Sequence, residues 1–338
     1  MHFFVYEWTT GGGMVDEPGS LPASLLREGT TMIEALAADL SRIESARVTV
    51  LREPRVLRLV LPRCEIIDIQ SAVSQREEFE RLSATADATI VIAPEFDRIL
   101  FKAARQAAAC GGRLLSPNPE FIRITADKHE TCRRLAAAGV RVPEGIVLEP
   151  DANLPATFDY PAVLKPVDGA GSQDTQLVVG PHDEPRPYAW PRRLETYIPG
   201  MAASVALLCG PNGRVPLLPC KQRISTDGRL RYLGGELPLT AGLAERAIRL
   251  GEGALAALPE AIGYVGVDLV LGRDPDGGED FVIEVNPRLT TSYVGLRAAA
   301  KCNLAESMFR VAQGESIDGS FSDRPLEFDV DGNVSFVP

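Results

Sequence analysis

The chain has 338 residues, of which 45% are hydrophobic and 24% are charged, and its formal net charge is −11. This length suits two or three domains of ordinary size, and an acidic chain with scattered basic residues argues against nucleic acid or an anionic membrane as its main partner. The six cysteines are spread without a C-x-x-C pair, which excludes a disulfide framework and a zinc site, and three histidines exclude a histidine-rich metal centre.

The sequence shows no sign of export or of insertion into a membrane. No apolar run approaches the roughly 20 residues that span a bilayer. The opening residues "MHFFVYEW" lack the basic segment, the long apolar core and the cleavage site of a signal peptide. Because we also expect the cysteines to be reduced, these features predict a cytoplasmic protein.

Strand and helix patterns alternate over residues 1–118. "HFFVYE", "EIIDI" and "ATIVIAP" are typical of strands, and "SLPASLLREGTTMIEALAADLSRI", "SQREEFERLSAT" and "RILFKAARQAAAC" are typical of helices. This alternation predicts an α/β domain with a parallel sheet and flanking helices. Pro117 and Pro119 mark its predicted end.

The pattern changes after residue 119. "ITADKHETCRRLAAAGVRVP" predicts one helix that stops at Gly139, and "EGIVLE", "PAVLKPV" and "TQLVVG" predict short strands before a proline-rich loop. Strand patterns then run from "RLETYIPG" to "FVIEVN", interrupted by a helix over 242–258, and helices over 292–300 and 303–313 precede a polar tail. We therefore expect an α+β part after the α/β domain.

Oxygen ligands are predicted to converge on two neighbouring strands. "YVGVDLVLG" and "FVIEVN" are separated by the turn residues "RDPDGGED". If the hairpin folds about Asp276, Asp268 lies opposite Glu284, and Asn286 shares the face of Glu284 because strand side chains alternate. Carboxylate and amide oxygens suit Mg²⁺ or Mn²⁺. The alternative is a solvated outer face, which the apolar neighbours in both strands disfavour.

A phosphate site is predicted next to Lys165, which ends the apolar strand of "YPAVLKPVDGAGSQDT". The glycines that follow, Gly169 and Gly171, and then Ser172, let backbone N–H groups approach phosphate oxygens, while the lysine adds a point charge. The P-loop motif is absent. An ordinary strand and turn with an exposed lysine is the alternative.

Two further segments carry candidate substrate contacts. The loop "TTGGGMVDEPGS" follows the first strand at the edge where ligands bind in open α/β sheets, so Gly12 and Gly13 are candidates, although loop flexibility alone would also explain these glycines. Lys221 and Arg223 in "CKQRIS" could bind substrate carboxylates or phosphate, or be solvated charges at a strand edge.

The order of these features resembles the ATP-grasp superfamily of carboxylate–amine ligases over nearly the whole chain. Lys128 at a helix start, Lys165 before the glycine loop, the hinge "ETYIPG", "GVDLVLG" and "EVNPR" carry the resemblance. It implies an ATP-grasp fold with an N-terminal pre-grasp domain (1–118), a small lid subdomain (119–195) and a C-terminal subdomain with the metal site (196–338).

The resemblance also implies roles for individual residues. ATP would be held by lysines, the 168–173 loop and the hinge, namely Lys128, Lys165, Gly169, Gly171, Ser172, Glu195, Tyr197 and Ile198. Mg²⁺ or Mn²⁺ would be held by Asp268, Glu284 and Asn286. Catalysis would rest on Lys165 and Arg288, and substrate contacts would come from Gly12, Gly13, Lys221, Arg223, Arg288 and Thr291. Ala202 departs from the family pattern, because many members have a carboxylate for the ribose there.

A narrower resemblance concerns the substrates. "VYEWTTGGG", "LREGTTMIEAL", "YLGGELPL" and "NPRLTTSYVGLR" are similar to segments of the tyramine–glutamate ligases of methanofuran-type cofactor biosynthesis. This implies a glutamate γ-carboxylate joined to tyramine or tyrosine through an acyl phosphate. Another amino-acid or dipeptide ligase and a non-catalytic ATP sensor remain alternatives. We expect small-molecule partners only, with a homodimer as the commonest oligomeric state.

Overall fold

The N-terminal part of the chain forms a parallel sheet. A computed structural model describes residues 1–59, 61–169, 173–317 and 319–337. Strands and helices alternate as β1 (His2–Glu7), α1 (Ala23–Leu40), β2 (Arg47–Arg52), β3 (Cys64–Asp68), α2 (Ala72–Thr85), β4 (Ala88–Ile92) and α3 (Ile99–Ala109). All pairings are parallel in the order β3-β2-β1-β4, which confirms the predicted sheet. The sequence prediction missed β2, whose apolar centre is short and flanked by arginines.

Two helices stand where one was predicted: α4 (Pro119–Thr125) and α5 (Lys128–Ala137). The prediction of one helix was wrong because Asp127 has non-helical backbone angles and its carboxylate caps α5 by accepting the backbone N–H of Glu130. Helix α5 stops before Gly139, whose φ of 81° suits a helix end, as predicted.

A small antiparallel sheet follows, built from strands whose positions were all predicted. They are β5 (Gly145–Leu148), β6 (Ala162–Pro166), β7 (Gln176–Val178) and β8 (Arg192–Thr196). Their order is β5-β8-β6-β7. The sheet has its own small core, which includes Leu164 and Leu194.

The remaining residues form a larger sheet and its helices. The elements are β9 (Met201–Gly210), β10 (Gly213–Pro216), β11 (Cys220–Ile224), β12 (Tyr232–Leu237), α6 (Ala241–Ala256), β13 (Gly263–Leu271), β14 (Phe281–Asn286), α7 (Ser292–Ala299), α8 (Leu304–Ala312), β15 (Leu326–Asp329) and β16 (Val334–Phe336). The order is β14-β13-β9-β11-β12-β15-β16, with β10 paired to β9. The predicted polar tail instead supplies the last two strands of the sheet, β15 and the edge strand β16, because Leu326 and Phe328 in β15 are buried in the core.

The large sheet is covered on both faces. Helices α4, α5 and α6 pack on one face, where Val205 and Val267 join their core. The other face continues into the core of the N-terminal sheet through Leu208 and Tyr264. The three sheets follow the three predicted domains, with β8 extending one residue past the boundary at 195, and the boundaries themselves stay a prediction. In the described ranges no helix is both long enough and apolar enough to cross a membrane.

Candidate functional site

The two predicted carboxylates lie opposite each other in the β13–β14 hairpin. Asp268 pairs with Glu284 and Gly266 with Asn286, so the predicted register is confirmed. Asn286 Nδ2 donates to Asp268 Oδ2 at 2.8 Å. On the other side, Gln222 Nε2 donates to Asp268 Oδ1 at 2.7 Å. Sequence reasoning missed Gln222, because nothing local shows that β11 lies within reach of β13.

The electrostatics of the two carboxylates differ. Burial and the neighbouring Glu284 carboxylate raise the pKa of Asp268 to about 6. Burial would also raise the pKa of Glu284, but Lys128 and Lys165 outweigh it and lower that pKa below its ordinary value. One carboxylate is thus neutralised by lysines, whereas the other has only neutral amides as hydrogen-bond partners.

The donor set fits a hard divalent cation. The candidate ligands are the two paired carboxylates with their amide neighbours. In the described parts of the chain no group of three or more His, Cys, Asp and Glu side chains could hold a metal. Mg²⁺ commonly uses one or two carboxylates and takes its other ligands from phosphates and water. A cation here would also relieve the repulsion that raises the pKa of Asp268. Asp268, Glu284 and Asn286 are therefore suited to Mg²⁺ or Mn²⁺.

Lys128 reaches this carboxylate face from the first residue of α5. Its ammonium group lies 2.8 Å from Glu284 Oε1 and donates to the carbonyl oxygen of Gly169 at 2.8 Å. Its backbone N–H bonds to the carbonyl of Val167, so the helix start is fixed to the end of β6. The predicted nucleotide contacts Gly171 and Ser172 lie outside the described residues.

Lys165 is held by a buried carboxylate of the small sheet. Its ammonium group lies 2.5 Å from Glu195 Oε1, and Arg193 Nε lies 2.8 Å from Glu195 Oε2. The Glu195 side chain, predicted to face adenine, thus contacts two cations and is only 3% exposed. Tyr197 and Ile198, which follow it, are partly exposed at the end of the strand.

Arg288 lies buried between the N-terminal and C-terminal parts. It donates from Nε and Nη2 to the two carboxylate oxygens of Glu95, at 2.9 and 3.2 Å. Glu95 follows β4 and carries no sequence signal of this role. Burial raises the pKa of the nearby Glu28 carboxyl, an effect that Glu95 adds to and Arg288 opposes. The predicted substrate residue Thr291 is buried just before α7.

Gly12 and Gly13 lie in a packed turn rather than in an open loop. A Cβ added at Gly12 would lie 1.7 Å from Ile69 Cδ1, and one at Gly13 would lie 2.0 Å from Trp8 Nε1. A side chain at either position would force Ile69 or Trp8 to move, and the φ of 95° at Gly12 also favours glycine there. Their predicted contact with substrate stays a prediction.

The structure does not bring Lys221 and Arg223 to the carboxylate face. Both flank Gln222 in β11, and alternating strand side chains point in opposite directions. Because Gln222 contacts Asp268, the two cations project from the other face. There Lys221 pairs with Glu236 at 2.9 Å, and Arg223 donates to the carbonyl oxygen of Phe328.

Comparisons with known proteins agree with this geometry. An ATP-grasp domain model matches residues 125–292, and a pre ATP-grasp 3 domain model matches residues 46–122. A tyramine–L-glutamate ligase from Methanocaldococcus jannaschii is 23% identical over 320 residues, which cover 92% of this chain and 89% of that protein.

Solved structures share the fold. An ATP-grasp superfamily protein from Archaeoglobus fulgidus has a TM-score of 0.73 at 22% identity, over 97% of this chain and 92% of that chain. An L-amino acid ligase from Bacillus licheniformis has a TM-score of 0.71 at 14% identity, over 96% of this chain and 78% of that chain. The predicted fold is thereby confirmed. The chain belongs to the ATP-grasp family and carries a pre-ATP-grasp domain in front of its ATP-grasp domain.

Proposed function

We propose that the protein is an ATP-dependent ligase that joins a carboxylate to an amine and releases ADP and phosphate. One observation carries the proposal. Two buried lysines, Lys128 and Lys165, lie near the same carboxylate, Glu284, whose partner across the hairpin is Asp268. Cations for phosphate oxygens and oxygen ligands for a metal thus meet at one place, as transfer of a phosphoryl group from ATP requires.

The reaction needs alignment rather than a protein nucleophile. The γ-phosphoryl group of ATP passes to a substrate carboxylate oxygen and ADP leaves. The amine nitrogen then attacks the acyl carbon, the bond to the phosphate oxygen breaks, and the amine gives up a proton. Lys165 and Arg288 stabilise the negative charge on the phosphoryl group during its transfer. Fixed charges accelerate phosphoryl transfer mainly in this way, together with alignment of the reactants. A bound divalent cation would neutralise charge on the phosphates.

We further propose glutamate and an aromatic amine as substrates. The relatives that match 92% of this chain are named tyramine–L-glutamate ligase, which supports a glutamate γ-carboxylate and tyramine or tyrosine. The product would be a γ-glutamyl amide of the kind used in methanofuran-type cofactors. Identity of 23% supports a shared reaction type more strongly than a shared amine.

The test is ADP release from ATP and Mg²⁺ with glutamate and a panel of amines, with product mass measured. Release that depends on tyramine or tyrosine, with a glutamyl amide product, would support both the reaction and the substrates. Release only with other amines would keep the reaction and overturn the aromatic substrate. ATP binding without ADP release for any pair would indicate a non-catalytic sensor.

A further inference from the structure

The small sheet places two cations directly opposite each other. Lys165 in β6 pairs with Arg193 in β8, and both side chains are at most 5% exposed. Like charges in this position are destabilising. The Glu195 carboxylate compensates by contacting both, with one oxygen 2.5 Å from Lys165 Nζ and the other 2.8 Å from Arg193 Nε.

The other two nitrogens of the Arg193 guanidinium point away from Lys165. Nη1 lies 2.7 Å from Nδ1 of His129, and Nη2 donates to the carbonyl oxygen of Pro143 at 2.8 Å. A guanidinium can only donate hydrogen bonds, so His129 Nδ1 is the acceptor and the ring proton lies on Nε2. Arg193 therefore has a different partner on each of its three nitrogens.

A glycine makes this arrangement possible. Gly145 lies opposite Glu195 in β5. A Cβ at Gly145 would lie 2.7 Å from both Cζ and Nη2 of Arg193. Any larger residue would displace the guanidinium from the space between β5 and α5.

The network connects the two lysines that are proposed to bind phosphate. Through Glu195, Arg193 fixes the ammonium group of Lys165. Through His129, it contacts the first turn of α5, where Lys128 is the preceding residue. The two lysines lie on different elements, α5 and β6, which are joined at one point by the bond from the Lys128 N–H to the carbonyl of Val167. Arg193 adds a second link, between side chains, which further limits the relative movement of the two lysines.

We propose that Arg193 is a positioning residue that holds Lys165 and the start of α5 in place for the nucleotide phosphates. This rests on the proposed function only in that both lysines bind ATP. Arginine suits the role because its planar fork reaches three widely separated partners in fixed directions, whereas the lysine ammonium is a compact point charge. The role acts through Glu195 and His129, without contact between Arg193 and the nucleotide.

The experiment measures the Kd for ADP with Mg²⁺ by calorimetry, and the Tm, for the wild type and four variants. His129→Leu removes the acceptor, and His129→Asn restores one close to the position of Nδ1. Arg193→Lys keeps the charge but loses the planar fork. The control is Arg246→Lys, because Arg246 is a similarly buried arginine that binds Asp280 and the carbonyl of Gly272 in the large sheet.

We expect His129→Leu and Arg193→Lys each to raise the ADP Kd about tenfold, the size of one lost hydrogen bond to a charged group. His129→Asn should recover most of that loss. Arg246→Lys should lower the Tm, because it loses buried hydrogen bonds to Asp280 and Gly272. Its ADP Kd should stay within about twofold of the wild type, because those bonds do not contact Lys128 or Lys165.

Two outcomes would overturn the proposal. One is a wild-type ADP Kd in His129→Leu and Arg193→Lys, whatever their Tm, since the network would then only stabilise the fold. The other is an equal rise in Kd in Arg246→Lys, which would trace the effect to general destabilisation. A wild type that binds ADP and forms no amide would overturn the proposed ligase reaction while leaving the network test intact.

Discussion

The small sheet and the large sheet each place two like charges opposite each other, and they balance them differently. In the small sheet, Lys165 and Arg193 share the carboxylate of Glu195, which comes from the same sheet. In the large sheet, Asp268 lies opposite Glu284 and receives hydrogen bonds from neutral amides only.

The difference shows which charges the fold balances by itself. The cation pair has one counter-ion, Glu195, two residues beyond Arg193 in the same strand, so the sheet itself balances one of the two positive charges. The carboxylate pair is in direct contact with Lys128, which comes from α5 rather than from the sheet, and Lys165 acts on Glu284 from a greater distance. Burial and the charge of Glu284 therefore raise the pKa of Asp268 above its ordinary value. A divalent cation bound at the large sheet would offset the carboxylate charge that remains there.

The largest expected effect comes from Glu284→Ala, which removes the carboxylate shared by the metal site and Lys128. We expect ATP turnover to fall by at least about 100-fold, a loss typical of removing one electrostatic contact to a transition state. Circular dichroism should show a folded protein. Wild-type ADP release from folded Glu284→Ala would exclude Glu284 as a metal ligand. Glu284→Gln keeps the size of the side chain and removes only its charge, so it separates loss of charge from loss of packing.

Lys165→Ala should lower ATP turnover by a similar factor, at least about 100-fold, because a charge aimed at the phosphates is lost. The fold should survive, since Glu195 keeps Arg193 as its partner. Measured ADP release checks the expected fall in turnover, and a thermal melt checks that the fold survives. Turnover close to that of the wild type would show that Lys165 only balances Glu195.

Asp268→Asn tests the uncompensated carboxylate directly. Mg²⁺ should stabilise the nucleotide-free wild type, by about 1.4 kcal/mol at a concentration ten times its Kd. The variant should gain much less, because one of two opposed carboxylates is gone. Thermal melts with Mg²⁺ and with EDTA measure the gain. An equal gain in both proteins would place the cation elsewhere.

The smallest effect is expected from Lys221→Ala, compared with Gln222→Ala next to it. Lys221 pairs with Glu236 at the surface, and its side chain is 44% exposed, so its loss should change stability by no more than about 1 kcal/mol. Gln222 donates to Asp268, so its loss should weaken the gain in stability from Mg²⁺. A larger fall in turnover from Lys221→Ala than from Gln222→Ala would support the predicted contact of Lys221 with substrate.

The parts of the site that local sequence determines were predictable. Folding the hairpin about Asp276 places Asp268 opposite Glu284, and this pairing holds from Gly266 to Asp268. Between Asp268 and the turn, a bulge shifts the register by one residue, and the sequence carries no signal of that bulge. The break between α4 and α5 also has a local signal, since Asp127 precedes Glu130 by three residues, a spacing typical of helix starts.

The contacts that join distant segments were not predictable. Lys165 and Glu195 are 30 positions apart along the chain, and no periodicity indicates that β6 lies beside β8. Glu95 follows a buried strand without any motif, so its pairing with Arg288 depends entirely on how the two domains pack. Residue types and spacing therefore indicated the site, and tertiary packing selected its partners.

The Glu95–Arg288 pair makes the two domains poor candidates for exchange between relatives. Residue 95 lies in the matched pre-ATP-grasp segment and residue 288 in the ATP-grasp segment. A chimera whose N-terminal domain lacks a carboxylate at this junction would leave Arg288 buried without its partner Glu95. Removing one member of a buried pair costs about 3–5 kcal/mol. Recombination between such proteins thus succeeds only when the incoming domain brings its own carboxylate to this junction.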